Sequence, residues 1–218
     1  MDKAILTISS KNYSSWSLRG WLICRFAKLD FEENIRPSDD PSTRAELMLM
    51  SPSFLVPSLK HGDITVWDTL AIAEYLYEAI PAPQLYPREV KARAHCRSIS
   101  GEMHSGFANL RSALPVNIKA HHTGYALWAG AQPDIARVLE IWRDCLKRYD
   151  GPYLFGSSPT VADAMYAPVC TRFLTYDVKI DRLARDYCET IMNLPEMLEW
   201  VEGAKAEPDV VEELESEF

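Results

Sequence analysis

Apolar residues keep two different rhythms along this chain, and the change between them divides it. Ala4–Ile8 is a short, weakly alternating apolar run, as in a buried strand. Ser9–Ser15 is polar, and from Trp16 to Leu29 apolar residues recur at helical spacing through Leu18, Leu22, Phe26 and Leu29. Phe31–Ile35 predicts a second strand, and Pro41-Ser42-Thr43 opens a short helix ending near Met50. Ser58–Lys60 and Ile64–Trp67 predict two strands joined at His61-Gly62-Asp63, where the glycine permits a positive φ. Leu70, Ile72, Ala73, Leu76 and Tyr77 then fall on a helix that Asp68 or Thr69 can cap.

From Glu89 onward the pattern is helical only. Val90–Leu114 predicts one long helix closed by Pro115, and Gly124–Tyr149 a second that ends at Gly151-Pro152. Thr160-Val161-Ala162-Asp163 is a hydroxyl-x-x-acid capping box, opening an apolar helix in which Pro168 predicts a kink. Asp181–Met192 and Pro195–Lys205 complete a set of about five helices. The expected architecture is an α/β unit over residues 1–80, a proline-rich linker over 81–89, and an all-α helical bundle over 90–218.

Composition changes this picture little, since 47% apolar and 25% charged residues are ordinary for a soluble globular protein. Charge narrows the partners. A net charge of −8 argues against nucleic acid or an anionic membrane. No apolar run approaches the length of a bilayer span, and the first ten residues lack a signal-peptide layout. The five cysteines show no C-x-x-C spacing and stand at no zinc-ligand spacing from a histidine. No metal site is expected, and buried thiols in a reducing cytoplasm are. His121-His122 predict surface positions pointing apart on a helix, and the acidic Glu207–Phe218 a solvated tail or a final helix.

The candidate chemistry lies in Val56–Tyr77. The clash before Pro57 holds Val56 extended, so its backbone groups can pair with an extended ligand. The helix start at Asp68-Thr69 offers unpaired N–H groups and a dipole end that suit a carboxylate, with a fixed acid beside them for an ammonium. An amino-acid end carries both.

With that order established, the sequence resembles the cytosolic glutathione transferases over nearly its whole length. Asn12-Tyr13-Ser14-Ser15-Trp16-Ser17-Leu18-Arg19 looks like the catalytic-serine loop of the zeta and tau classes. Val56-Pro57-Ser58-Leu59 is similar to the cis-proline segment, Asp68-Thr69-Leu70-Ala71-Ile72 to the γ-glutamyl-binding motif, and Thr160–Asp163 to the capping box of the helical domain. The resemblance implies a thioredoxin-like first domain, a helical second domain, and a homodimer with two sites. It implies glutathione as co-substrate and a small electrophile as second substrate. By position Ser14 matches the catalytic serine, with Ser15 in reserve. Free cysteine has a pKa near 8.5, and a drop of two units needs about 2.7 kcal/mol. One charge-assisted hydrogen bond is worth roughly 1.5–3 kcal/mol, so a serine at a helix N-terminus suffices.

By the same matching, Val56 and Pro57 meet the cysteinyl unit, Asp68 the ammonium, and Thr69 the α-carboxylate. Asp68-Thr69 stands where Glu-Ser is usual, and Phe54-Leu55 where polar or basic residues often meet the glycyl carboxylate. The expectation is either weaker glutathione binding than usual or compensation by Lys60, His61 or a residue of the partner subunit. Trp16, Met103, His104, Phe107, Arg111 and Asn117 are the second-substrate candidates, Arg111 suiting a carboxylate. The expected reaction is conjugation of the thiolate to an electrophile. The alternatives are cis–trans isomerisation of the maleylacetoacetate type, against which Trp16 stands where that class has cysteine, and a non-catalytic interaction protein.

Overall fold

In β1 (Ala4–Ile8), Ala4, Leu6 and Ile8 are buried while Ile5 and Thr7 are half-buried, the signature of a strand with neighbours on both edges. This computed structural model describes residues 3–37, 40–41, 43, 45, 56–81, 85–208 and 210–215. Strand order is β2-β1-β3-β4, with β2 (Phe31–Ile35) parallel to β1 and with β3 (Ser58–His61) and β4 (Ile64–Trp67) following antiparallel. Leu6 stands opposite Leu59, so the two central strands turn the same apolar face toward the helices. The sheet is mixed, as in the thioredoxin-like class. The helix expected from Pro41 to Met50 falls mostly outside the described residues, as do Phe54 and Leu55.

α1 (Ser15–Phe26) has almost no solvent face: Ser17 through Cys24 are all buried. Such a helix is walled on every side. It packs on β1, on α2 (Thr69–Ala79), and on two helices of the second half, α6 (Val161–Thr175) and α8 (Pro195–Ala206). Val56-Pro57 is a cis peptide bond, and the proline ring lies on α1 at Gly20. A Cβ at Gly20 would stand 2.5 Å from the Pro57 Cβ, so only glycine admits this approach.

The second half is helical throughout, but two expected helices are shorter than their apolar spacing indicates. Val90–Leu114 divides into α3 (Val90–Ser105) and α4 (Ala108–Ala113). Gly106 is extended (φ −105°, ψ −165°) and Phe107 takes a left-handed φ of 58°, so the chain turns while both flanks keep their apolar spacing. Helix α5 is Gln132–Tyr149 rather than Gly124–Tyr149, because Pro133 sits in the first turn, where its missing N–H costs no bond. His121 and His122 consequently lie in a loop, not on a helix; His121 ion-pairs with Asp177 and His122 stacks on Tyr176. Pro168 sits within α6, which runs from Val161 to Thr175. α7 (Arg182–Met192) and a short final helix α9 (Glu212–Glu215) complete the set.

At the start of α6 the Asp163 carboxylate accepts from the N–H groups of Thr160 (2.8 Å) and Leu154 (3.0 Å) and from the hydroxyls of Thr160 and Tyr187. Full burial still raises its pKa against those four donors. One apolar cluster continues from Leu6, Leu22 and Ile72 through Met103 to Met165 and Trp200, so both halves share a core. All five cysteines are free and buried, and no helix among the described residues is long and apolar enough to cross a membrane. Gly20→Ala is expected to cost about 1–3 kcal/mol by overpacking against Pro57, read as a lower denaturation midpoint.

Candidate active site

Ser14 is the N-cap of α1: its backbone is extended, and its hydroxyl oxygen accepts from the Ser17 N–H at 3.2 Å. A hydroxyl that accepts at a cap keeps its capacity to donate. Ser15 is buried and accepts from Arg19 Nη1 at 3.4 Å. Trp16, in the first turn, is half-buried, with the Arg19 guanidinium carbon 4.6 Å and the Arg111 carbon 5.5 Å from its ring centroid. The His104 ring packs edge-on against Trp16, with ring centroids 5.2 Å apart.

His104 joins this helix start to the next one. Its Nε2 lies 2.5 Å from Asp68 Oδ2, while Asp68 Oδ1 caps α2 by accepting from Leu70 N–H (2.8 Å) and Ala71 N–H (3.4 Å). Trp16, His104 and Asp68 thus form a continuous bridge between the N-termini of α1 and α2. Asp68 has φ 76°, the left-handed region, which costs a non-glycine residue about 1–3 kcal/mol and persists where the surroundings enforce it. Burial raises the Asp68 pKa, but the bond and charge of His104 and the two N–H donors outweigh it and hold the carboxyl below its usual value.

Thr69 is 1% exposed, and its Oγ1 is buried without a partner. A bare hydroxyl costs about 1–3 kcal/mol, and one at a helix N-terminus fits an incoming carboxylate. The residues therefore fit an amino-acid head: Asp68 for the ammonium, Thr69 and the α2 N-terminus for the carboxylate.

Two guanidiniums, Arg19 and Arg111, stand against Trp16, and a third, Arg172, lies within electrostatic reach of both. Arg19 is fully buried and donates to the Met165 carbonyl at 2.9 Å. Arg172 is 3% exposed, donates to the Leu114 carbonyl at 3.4 Å, and leaves Nε unbonded. Arg111 is partly exposed. Burial, and then the neighbouring guanidiniums, press the pKa of Arg19 down and that of Arg172 to about 9; burial also lowers Arg111, which Asp134 partly offsets. Among the described residues no carboxylate hydrogen-bonds any of the three. Arginine keeps its proton at neutral pH, so only an anion relieves that pressure.

Other expected residues stand elsewhere. Met103 is fully buried in the core, and Asn117 is buried with its amide bonded to Asn12 and Glu215. Phe107 is buried at the α3–α4 turn. Lys60 is exposed on the face of β3 opposite Leu59, and His61 Nδ1 bonds the Tyr75 hydroxyl at 2.9 Å. Sequence reasoning missed the Asp68–His104 pair and the convergence of Arg19 and Arg172; an arginine inside each apolar helix was the available signal. It also missed His95, Asp144 and Cys145, whose ligand atoms lie within 4.8 Å of one another where α3 meets α5.

The frame is a mixed four-stranded sheet joined to a helical unit, with a serine cap on α1 and an acidic cap on α2 linked through Trp16 and His104. Residues 13–79 match the family model for the N-terminal domain of glutathione S-transferases, and residues 125–203 that for the C-terminal domain. The chain belongs to the glutathione S-transferase family. A Rattus norvegicus protein named maleylacetoacetate isomerase is 29% identical over 169 residues, 76% of each chain. A solved glutathione transferase homolog from Burkholderia with bound glutathione superposes with TM-score 0.69 at 21% identity, covering 94% of this chain and 99% of that one. Maleylacetoacetate isomerase from Anaeromyxobacter dehalogenans, solved with dicarboxyethyl glutathione and citrate, gives 0.67 at 23% identity over 96% and 94%.

His104→Ala is expected to raise the Asp68 pKa, read by carboxyl NMR titration. A depressed carboxyl pKa adds stability above the unfolded value, lost as pH falls through the folded one. The variant should therefore narrow that acid-side contribution, by under about 1 kcal/mol because the pair is partly exposed.

Proposed function

We propose that this protein adds the glutathione thiolate to a small electrophile carrying a carboxylate. The observation that carries this is the pair Arg19 and Arg111 beside Trp16, with Arg172 within electrostatic reach of both and no hydrogen-bonded acid on any of the three among the described residues. Glutathione supplies the nucleophile. Ser14 donates its hydroxyl proton in a hydrogen bond to the sulfur, with the N-terminus of α1 adding to the stabilisation. Val56 and Pro57 present an extended edge to the cysteinyl unit, and Asp68 and Thr69 hold the amino-acid head. Arg111, the exposed member of the three, receives the electrophile's carboxylate; Arg19 and Arg172 strengthen the field behind it.

Conjugation ends when the new carbon–sulfur bond persists. A second reading, cis–trans isomerisation, is favoured by the relatives named maleylacetoacetate isomerase. There the electrophile's double bond becomes single on addition, rotates, and re-forms as the sulfur leaves, so the tripeptide is regenerated. Trp16, where that class has cysteine, favours conjugation. Proton NMR of an unsaturated keto acid such as maleylacetone with glutathione separates the outcomes: a thioether accumulates in one, a trans isomer with glutathione undiminished in the other. Neither product would defeat both.

Ser14→Ala is expected to shift the ultraviolet titration of bound thiolate upward by about two pH units. Arg111→Ala is expected to raise KM for a carboxylate electrophile about tenfold or more while a neutral electrophile is little affected. The same proposal includes a cytoplasmic homodimer, with light scattering at twice the chain mass as its check.

A further inference from the structure

The polar loop before Ser14 is held by the far end of the chain. Glu207 follows the last turn of α8, and its Oε1 accepts from the Lys11 N–H at 2.6 Å. Its Oε2 accepts from the Ser10 hydroxyl at 2.7 Å and the Asn12 N–H at 3.1 Å. The Ser10 oxygen then accepts from the N–H groups of Asn12 (3.1 Å) and Tyr13 (3.2 Å), and the Ser10 carbonyl accepts from the Ser14 N–H at 3.0 Å. One carboxylate thus fixes the turn whose last bond sets the position of the serine cap. Ser10, Asn12 and Ser14 are each under 5% exposed, so water does not readily replace these bonds.

A second set of bonds holds the same loop from the other side. Asn12 Nδ2 donates to Asn117 at 3.0 Å and its Oδ1 accepts from Lys119 N–H at 2.9 Å, while Trp200 donates to the Lys11 carbonyl at 2.9 Å. The Tyr13 hydroxyl donates to Glu215, and burial, then that carboxylate, push its pKa up to about 12. The charged groups around the loop are Glu33, ion-paired with Lys11 at 2.6 Å; Lys119, whose Nζ donates to the Glu207 carbonyl; and Glu215.

We infer that Glu207 is a positioning residue for the thiolate-binding serine, acting through Ser10 and the backbone of residues 11–14. This rests on the assignment of the thiolate to Ser14 proposed above. A carboxylate can also act through its field, and the two effects have opposite signs. Deleting a nearby negative charge lowers a thiol pKa; misplacing the hydroxyl donor raises it. Glu207→Ala removes both charge and acceptor, and Glu207→Gln removes the charge while keeping one acceptor oxygen.

The experiment titrates the ultraviolet thiolate band of glutathione bound to the full chain, alongside hydrogen exchange at the amides of Lys11 and Asn12. Positioning predicts that Glu207→Ala exchanges faster, titrates about one pH unit higher, and loses about tenfold or more in kcat. Glu207→Gln should return most of the way to wild type. Equal downward shifts in both variants, or an unmoved titration in a folded Glu207→Ala, would overturn it. Should the alanine variant not fold, Glu207→Asp, which withdraws the carboxylate by one methylene, gives the same test: an upward shift supports positioning and no shift overturns it. A wild-type protein with no thiolate band under saturating glutathione defeats the function proposed above. Exchange at Lys11 and Asn12 then decides the clamp by itself: faster in Glu207→Ala upholds it, unchanged overturns it.

Discussion

The burial of α1 on all sides is the constraint from which the site follows. A helix with one wet face can rock about its long axis at little cost, whereas one enclosed by a sheet and three helices cannot move without opening a cavity. Gly20 lets Pro57 close on it, and Arg19 ties it to the Met165 carbonyl. Its first turn is therefore held in place, together with the serine cap and Trp16. The arrangement places polar groups at the end of an element whose middle is fully buried.

Charge is distributed around that helix end in an unusual way. The acid at the start of α2 has a partner in His104, while Arg19 and Arg172 have carbonyl partners and no bonded acid among the described residues. Burying like charges near one another is costly unless an anion joins them. His104 packs on Trp16 and bonds Asp68, so a single ring touches both neighbourhoods. The match to two glutathione S-transferase domain models accounts for the frame; the cationic surroundings of Trp16 are what this chain's own side chains add to it.

The C-terminal segment shows how a site can draw on distant sequence. Glu207 and Glu215 stand almost two hundred residues after the loop they hold. An acidic, hydrophilic run of this kind looks like a solvated tail when read locally. Only once α8 is packed on α1 do its carboxylates find backbone donors within bonding distance.

Local chemistry by itself determined the strands around Val56–Trp67, the helix starts at Ser14, Asp68 and Thr160, and the division into an α/β half and a helical half. Each of these depends on neighbours within a few residues: a proline before an extended step, a hydroxyl or acid before an apolar repeat. The break at Gly106-Phe107 and the late start at Gln132 were hidden because apolar spacing continues through a turn when both flanks pack on the same core. Met103, Arg111 and Asn117 come from α3, from α4 and from the loop after α4, and the turn at Gly106-Phe107 separates them, so packing buries the first and last and leaves Arg111 partly exposed. Which side chains meet was decided by tertiary structure alone, because the partners of Asp68, Arg19 and Ser10 come from separate elements and bonding distance is a property of packing, not of spacing along the chain.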